Sequence, residues 1–195
     1  MRVLPIAGSP RTGGNSQRLL EAAVEGAREA GAEVLDALRP ADLRLAPCRG
    51  CDRCQRDGVC VLHDDGPAAL LRLSAADAIL LAAPIYFSGL PSQLKALVDR
   101  TQVLWWRGEL LRRAGTPPAR PRRGYLLLCA GTHRARVFDG ARETARACLY
   151  ALDGRLRGEL LVPDVDESGA ILRRPEALAQ ARALGRAAAL DPALP

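Results

Sequence analysis

Gly8-Ser9-Pro10-Arg11-Thr12-Gly13-Gly14-Asn15-Ser16 lies between an apolar run, Val3 to Ala7, and a long helical pattern, and its reading decides the fold. A buried parallel strand that ends in a glycine and passes through small hydroxylated residues into a helix aims several backbone N–H groups and a helix N-terminus at one point. That point suits an anion. Ser9, Thr12 and Ser16 add hydroxyl donors, Arg11 supplies positive charge, and Gly13-Gly14 lets the backbone take positive φ and approach a ligand closely. No Gly-x-Gly-x-x-Gly follows the strand and no Gly-x-x-x-x-Gly-Lys-Ser/Thr occurs, which disfavours a dinucleotide Rossmann domain and a P-loop NTPase. A monophosphate such as that of FMN fits better. The plainer alternative is a Gly-Ser turn that caps a helix and binds nothing.

Outward from the cradle, Gln17 to Ala30 carries Leu19, Leu20, Ala23, Val24 and Ala27 at helical spacing and stops at Gly31. Ala32 to Arg39 is expected as a second strand, Asp42 to Ala46 as a short extended continuation, and Cys48 to Gly66 as a polar, turn-rich segment. A helix over Pro67 to Leu73 leads to Ala78 to Ala83, a continuous apolar run expected as a central strand covered on both faces. That strand ends in Pro84-Ile85-Tyr86-Phe87-Ser88-Gly89, and helical spacing returns from Pro91 to Trp106. Arg107 to Arg123 is basic, is interrupted by Pro117, Pro118 and Pro121, and reads as a mobile excursion. Tyr125 to Cys129 is expected as the fourth strand, leading to Gly131-Thr132-His133; a helix over Asp139 to Leu152, a fifth strand over Glu159 to Val165 and a final helix over Pro175 to Leu190 complete the pattern. Such alternation predicts an α/β, doubly wound parallel sheet with ligands outside the carboxyl ends of its strands. The cradle, the loop at Pro84 and the loop at Gly131 all fall at such ends and are expected to converge on one crevice.

The 195 residues suit a single domain with a cysteine-rich insertion at about 47–66, and an aliphatic core follows from 48% hydrophobic but only 4% aromatic residues. The net charge of +6 comes from 27 arginines and one lysine. No basic cluster with stacking aromatics accompanies it, so no nucleic-acid partner is expected; an acidic protein partner or a phosphorylated cofactor suits the basic surface. The chain enters its first strand without a signal-peptide pattern, and no apolar run reaches membrane-spanning length, so the expectation is a soluble cytoplasmic protein with no membrane partner. In that compartment the 6 cysteines point to metal binding or catalysis rather than disulfides.

Cys48-x-x-Cys51-x-x-Cys54-x5-Cys60 concentrates thiols in one short segment. Zinc sites usually take two Cys-x-x-Cys arms separated by a longer stretch, whereas successive Cys-x-x-Cys steps with a fourth cysteine nearby resemble the wrapping of a four-iron four-sulfur (4Fe–4S) cluster. The cluster is the favoured reading; a metal-free remnant and structural zinc stay open beside it. Arg49, Arg53 and Arg56, interleaved with Asp52 and Asp57, are expected to stabilise extra negative charge there and raise a cluster's potential, unless they simply face solvent. Cys129, in an apolar strand, and Cys148, in a helix, read as small buried hydrophobes.

Together, Gly8-Ser9-Pro10-Arg11-x-x-Gly14-Asn15-Ser16, the cysteine segment followed by Asp64-Asp65, and Ala83-Pro84-Ile85-Tyr86-Phe87 followed by Pro91-Ser92-Gln93-Leu94-Lys95-Ala96-Leu97-Val98-Asp99-Arg100 resemble the NADPH-dependent FMN reductase superfamily. The cysteine spacing is similar to its iron-sulfur flavoprotein branch. The resemblance implies a flavodoxin-like sheet of order 2-1-3-4-5, with the cysteine-rich loop after strand 2, and non-covalent FMN. It places the phosphate on Ser9, Arg11, Gly14, Asn15 and Ser16, and the flavin ring against Pro84, Ile85, Tyr86 and Phe87, with Gly131 and Thr132 on the far side. Cys48, Cys51, Cys54 and Cys60 would hold the cluster. A homodimer or homotetramer is implied, with NAD(P)H or a ferredoxin as electron donor and a small molecule or protein as acceptor. Relatives often carry consecutive glycines after strand four, whereas here Gly131 precedes Thr132, His133 and Arg134. His133 and His63 read as surface residues, and the Arg112 to Arg123 loop as solvated unless it holds an NADPH 2′-phosphate. No catalytic acid or base stands out, since redox chemistry of this kind belongs to the cofactors. Two rivals remain: an NAD(P)H-dependent FMN, quinone or nitroaromatic reductase without a functional cluster, and a non-catalytic, zinc-stabilised interaction or sensor domain.

Overall fold

The computed structural model describes residues 1–116 and 121–191. A parallel sheet of 5 strands runs in the order β2-β1-β3-β4-β5, as the resemblance implies. The strands are β1 (Arg2–Ala7), β2 (Glu33–Val34), β3 (Ala78–Pro84), β4 (Arg122–Cys129) and β5 (Gly154–Val162). The helices are α1 (Asn15–Glu29), α2 (Cys54–Asp57), α3 (Gly66–Ala75), α4 (Ser92–Arg100), α5 (Gln102–Arg113), α6 (Asp139–Ala151) and α7 (Pro175–Leu190).

β1, β3 and β4 are almost wholly buried because helices cover both their faces, which is why their sequences are continuous apolar runs rather than alternations. On one face, Leu19, Leu20, Ala23 and Ala27 of α1 and the alanines of α7 pack on Val3, Leu80 and Leu127. On the other, α3, α4, α5 and α6 pack on Leu4, Ile79, Leu81 and Leu126. α1 and α7 meet backbone to backbone: a Cβ on Gly26 would overlap the Arg182 carbonyl, and one on Gly185 the Ala23 carbonyl.

Four expected boundaries move, each for a local reason. The second strand, expected over Ala32 to Arg39, shrinks to Glu33–Val34, with an isolated bridge from Ile6 to Leu38. Pro5 causes this. Leu35 N–H donates to Val3 O at 2.9 Å and Leu38 N–H to Pro5 O at 2.8 Å, so the alternate backbone groups of β1 face β2, and Pro5 has no N–H to continue the ladder. The helix expected over Pro91 to Trp106 divides at Thr101, whose hydroxyl donates to Val98 O at 2.7 Å in place of a continuing backbone bond. The second half extends to Arg113, inside the supposed excursion. Glu109 there pairs with Arg112 at 3.3 Å and Arg113 at 3.0 Å, while the two guanidinium groups lie over the Trp105 and Trp106 rings. Finally, β5 runs Gly154–Val162 rather than Glu159 to Val165, ending before Pro163. As an edge strand it alternates exposed Arg155 with partly buried positions, so its early half lacks an apolar run.

Candidate functional site

β1 delivers the chain to Gly8, whose N–H donates to Ala82 O of β3 at 2.8 Å, so the cradle begins where the strand order reverses. Leu94 of α4 lies over Gly8, where a Cβ would fall 2.5 Å from Leu94 Cδ2. The chain then turns through Arg11 N–H, which donates to Ser9 Oγ at 3.1 Å, and Gly13 N–H, which donates to Gln17 Oε1 at 2.9 Å. Of the two glycines expected to take positive φ, Gly13 does so at φ +67, whereas Gly14 is extended at φ −73. α1 starts after Gly14 with no side-chain cap and no acidic residue in its first turn. Its orphan amides and the positive end of its dipole therefore face open space. Ser9 and Ser16 are buried beside them. Arg11 is exposed, and among the described residues no carboxylate pairs with it.

The space they face is a cavity of about 200 Å³, lined by Ser9, Arg11, Gly14, Asn15 and Ser16 from the cradle, by Pro84, Ile85 and Tyr86 after β3, and by Gly131 after β4. Three loops from separate strand ends thus converge, as expected from the sequence. Phe87 and Thr132 stand outside this lining. Thr132 Oγ1 accepts Arg134 N–H at 3.1 Å. Phe87 is fully exposed at the tip of a tight turn closed by Tyr86 N–H to Gly89 O at 3.0 Å and Gly89 N–H to Tyr86 O at 2.9 Å. Phe87 (φ +49) and Ser88 (φ +61) both take left-handed conformations that cost non-glycine residues roughly 1–2 kcal/mol each. The Ser88 carbonyl packs on the start of α6, where a Cβ on Gly140 would come within 2.5 Å of it.

Asn15 does more than line the cavity. Its Nδ2 donates to Val165 O at 2.9 Å and Glu167 O at 2.8 Å, and its Oδ1 accepts Ile171 N–H at 3.2 Å. The carboxamide is therefore committed to the loop after β5, leaving its backbone amide for a ligand. That loop adds Val165, Asp166 and Ser168 to the wall, and Cys129 completes it at the end of β4. Sequence reasoning missed the loop because the fifth strand was expected to run through Val165; ending it at Pro163 would have exposed a fourth strand-end loop. Burial pushes the Cys129 thiol up to about 12, with Ser16 beside it acting weakly in the other direction. The cavity is thus donor-rich at α1 and apolar along Pro84-Ile85, with one carboxylate, Asp166, beside Gly131. His133 is exposed outside it, with Nδ1 at 3.0 Å from Asp164 Oδ1.

Cys48, Cys51, Cys54 and Cys60 line a second cavity, of about 50 Å³, between the cysteine segment and the α4–α5 junction. The Cys51 thiol is held below its ordinary value by the Arg53 amide and, less strongly, by the Arg49 side chain. Cys54 is raised by burial and then by the charges of the other three thiols. Arg53 itself pairs with Asp57 at 3.1 Å. Among the described residues, no three His, Cys, Asp or Glu side chains are grouped as one metal ion would require. His63 is exposed and does not line the cavity. Arg112 is bound to Asp153 at 3.0 Å and to Glu109, while residues 117–120 of the loop considered for an NADPH 2′-phosphate lie outside the described residues.

The sheet order, with an uncapped helix facing a crevice at its switch point, defines a flavodoxin-like fold. The sequence model of the NADPH-dependent FMN reductase family matches residues 1–143, and the chain belongs to that family. It is 40% identical over 104 residues to an iron-sulfur flavoprotein of Methanosarcina thermophila, covering 53% of this chain and 54% of that protein. An iron-sulfur flavoprotein of Methanocaldococcus jannaschii matches equally well, at 40% over 104 residues, 53% of each chain. The chain therefore spans about half the length of the curated relatives it matches. An NAD(P)H:quinone oxidoreductase from Methanothermobacter marburgensis superposes with a TM-score of 0.70 at 21% identity, over 95% of this chain and 98% of that one, which shows the shared fold. Among the described residues no helix is long and apolar enough to cross a membrane.

Proposed function

We propose that this chain is an FMN-dependent oxidoreductase of the iron-sulfur flavoprotein type, with FMN in the larger cavity and a 4Fe–4S cluster on the four cysteines of the smaller one. The observation that carries the reading is the uncapped start of α1, which opens beside buried Ser9 and Ser16 and an Arg11 without a carboxylate partner among the described residues. Donors and charge of this kind fit a phosphate. Ser9, Arg11, Gly14, Ser16 and the Asn15 backbone would hold it, while Pro84, Ile85 and Tyr86 offer a flat apolar wall to the ring.

When bound, FMN would accept a hydride, two electrons with one proton, from NAD(P)H and release electrons singly or in pairs. The protein's own contribution is position and environment. Cys129 stays protonated and neutral in the wall, so it would add no negative charge to the surroundings of a bound flavin. Asp166, beside Gly131, is the one carboxylate in the lining, where it can accept a hydrogen bond from a ligand donor.

The cysteine spacing supports the cluster over zinc, since successive Cys-x-x-Cys steps with a fourth cysteine nearby wrap a cubane, whereas zinc sites usually take two Cys-x-x-Cys arms separated by a longer stretch. An all-thiol set around one shared cavity agrees with cluster ligation. A ferredoxin as alternative donor, and a homodimer or homotetramer, belong to the same proposal; the net charge of +6 favours an acidic partner.

Anaerobic purification followed by a visible spectrum and assays of FMN, iron, sulfide and zinc tests the reading. Bound FMN with iron and sulfide in matching amounts is expected. FMN alone, with hydride transfer that survives replacement of Cys48 or Cys54, would instead make the protein a simple flavin-dependent quinone or nitroaromatic reductase. Stoichiometric zinc without flavin would overturn the enzymatic reading.

A further inference from the structure

The four-thiol cavity has a wall that belongs to neither the cysteine segment nor the flavin site. Arg100, the last residue of α4, is among the largest fully buried side chains, 1% exposed, and it lines this cavity with the cysteines. A buried guanidinium needs strong local reasons to be there. Its Nη1 donates to Asp64 Oδ2 at 2.7 Å and to Ala46 O at 3.0 Å, and its Nη2 donates to Asp64 Oδ1 at 3.0 Å. Asp64 in turn accepts Ala46 N–H and Gly66 N–H, each at 2.9 Å. One ion pair therefore gathers both ends of the cysteine segment. Gly66 is required for this, since a Cβ there would overlap the guanidinium.

The pair's hydrogen bonding is not closed. Arg100 Nε is buried without a partner, and Cys60 lines the same cavity as the guanidinium. An orphaned donor on a buried cation beside thiols is costly unless something anionic completes it. Asp64 lies on the far side, anchored to the ends of the segment, and does not line the cavity, so the pair turns its positive end toward the sulfurs.

We propose that Arg100 is a positioning and charge-compensating residue for the thiolate centre: it fixes Cys60 through the closed loop ends and stabilises negative charge added to the group the four cysteines hold. The potential arm of this inference rests on the cluster reading above, while the positional arm does not. Arg49 and Arg53, by contrast, act on exposed Cys51 and are themselves accessible to solvent or paired with Asp57.

Two variants separate electrostatics from mere loosening. Arg100→Gln combined with Asp64→Asn removes both charges while leaving neutral hydrogen-bonding groups, so no buried charge is orphaned. Asp64→Asn alone unmasks the guanidinium. Potentiometry of the reconstituted protein, followed through the cluster's electron paramagnetic resonance signal, should show a lower midpoint in the double variant and a higher one in the single variant, with the flavin midpoint unmoved. Shifts in the same direction, or none, overturn the compensating role. In metal-free protein, alkylation of Cys60 relative to exposed Cys51, read by peptide mass spectrometry, should rise about tenfold in the double variant. An unchanged ratio overturns the positioning role, including in the event that Asp64→Asn alone does not fold. Wild-type protein that incorporates no iron and sulfide would sink the cluster reading and the compensating role, and the alkylation ratio would then decide the positional one.

Discussion

At the scale of single residues, Asn15 and Asp64 show how one polar side chain can hold a whole loop. Asn15 has the sequence context of a phosphate ligand, yet its carboxamide spends both donor and acceptor capacity on Val165, Glu167 and Ile171. Aspartate cannot donate to two carbonyls, and it places negative charge at an anion site. Asn15→Asp should therefore retain helical circular dichroism but weaken FMN binding by about tenfold or more in a fluorescence titration. Asp64 makes an acid-lability prediction. The Arg100 guanidinium, followed by the amides of Ala46 and Gly66, lowers its carboxyl from 3.8 to about 2. A carboxylate depressed in the folded state contributes fully above its unfolded value, and the contribution fades as pH falls from about 4 through about 2. Roughly 2 kcal/mol should disappear over that window. Urea midpoints measured between pH 5 and pH 2 should fall more steeply in wild-type protein than in Asp64→Asn.

At the scale of elements, α1 and α7 set a helical preference against a packing constraint. Alanine in a helix interior is favoured over glycine by roughly 1 kcal/mol, but a Cβ on Gly185 would collide with the carbonyl of Ala23, which cannot rotate away. Overpacking of that kind costs about 1–3 kcal/mol, so Gly185→Ala should lower the melting temperature despite its better propensity. The Tyr86 to Gly89 turn predicts the opposite sign. Ser88→Gly removes left-handed strain at φ +61 and should stabilise the protein by about 1 kcal/mol in denaturant titrations. Elements were legible in the sequence where burial was complete: β3 and β4 announce themselves as apolar runs, and the cradle as a strand, a turn and a helix. They were illegible where one residue redirected the backbone. Pro5 truncates its neighbour strand rather than its own, an effect visible only once pairing is known. Thr101 divides a helix whose apolar spacing continues across the break. Exposed Arg155 and Arg157 hid the start of β5, and that displaced boundary concealed the loop holding Val165, Asp166 and Ser168.

At the scale of the molecule, the two cavities share no lining residue, yet one short helix serves both. Leu94 of α4 rests over Gly8 at the start of the cradle, and Arg100 closes the same helix against the cysteines. A helix rises about 1.5 Å per residue, so these two side chains are mounted about 9 Å apart along a single stiff axis. Each residue also turns the helix by about 100°, so inserting or deleting one between them would swing Arg100 out of its socket while Leu94 kept its seat. A change in the length of α4 should therefore be felt at the cysteine end of the molecule first, with the start of the cradle left in place.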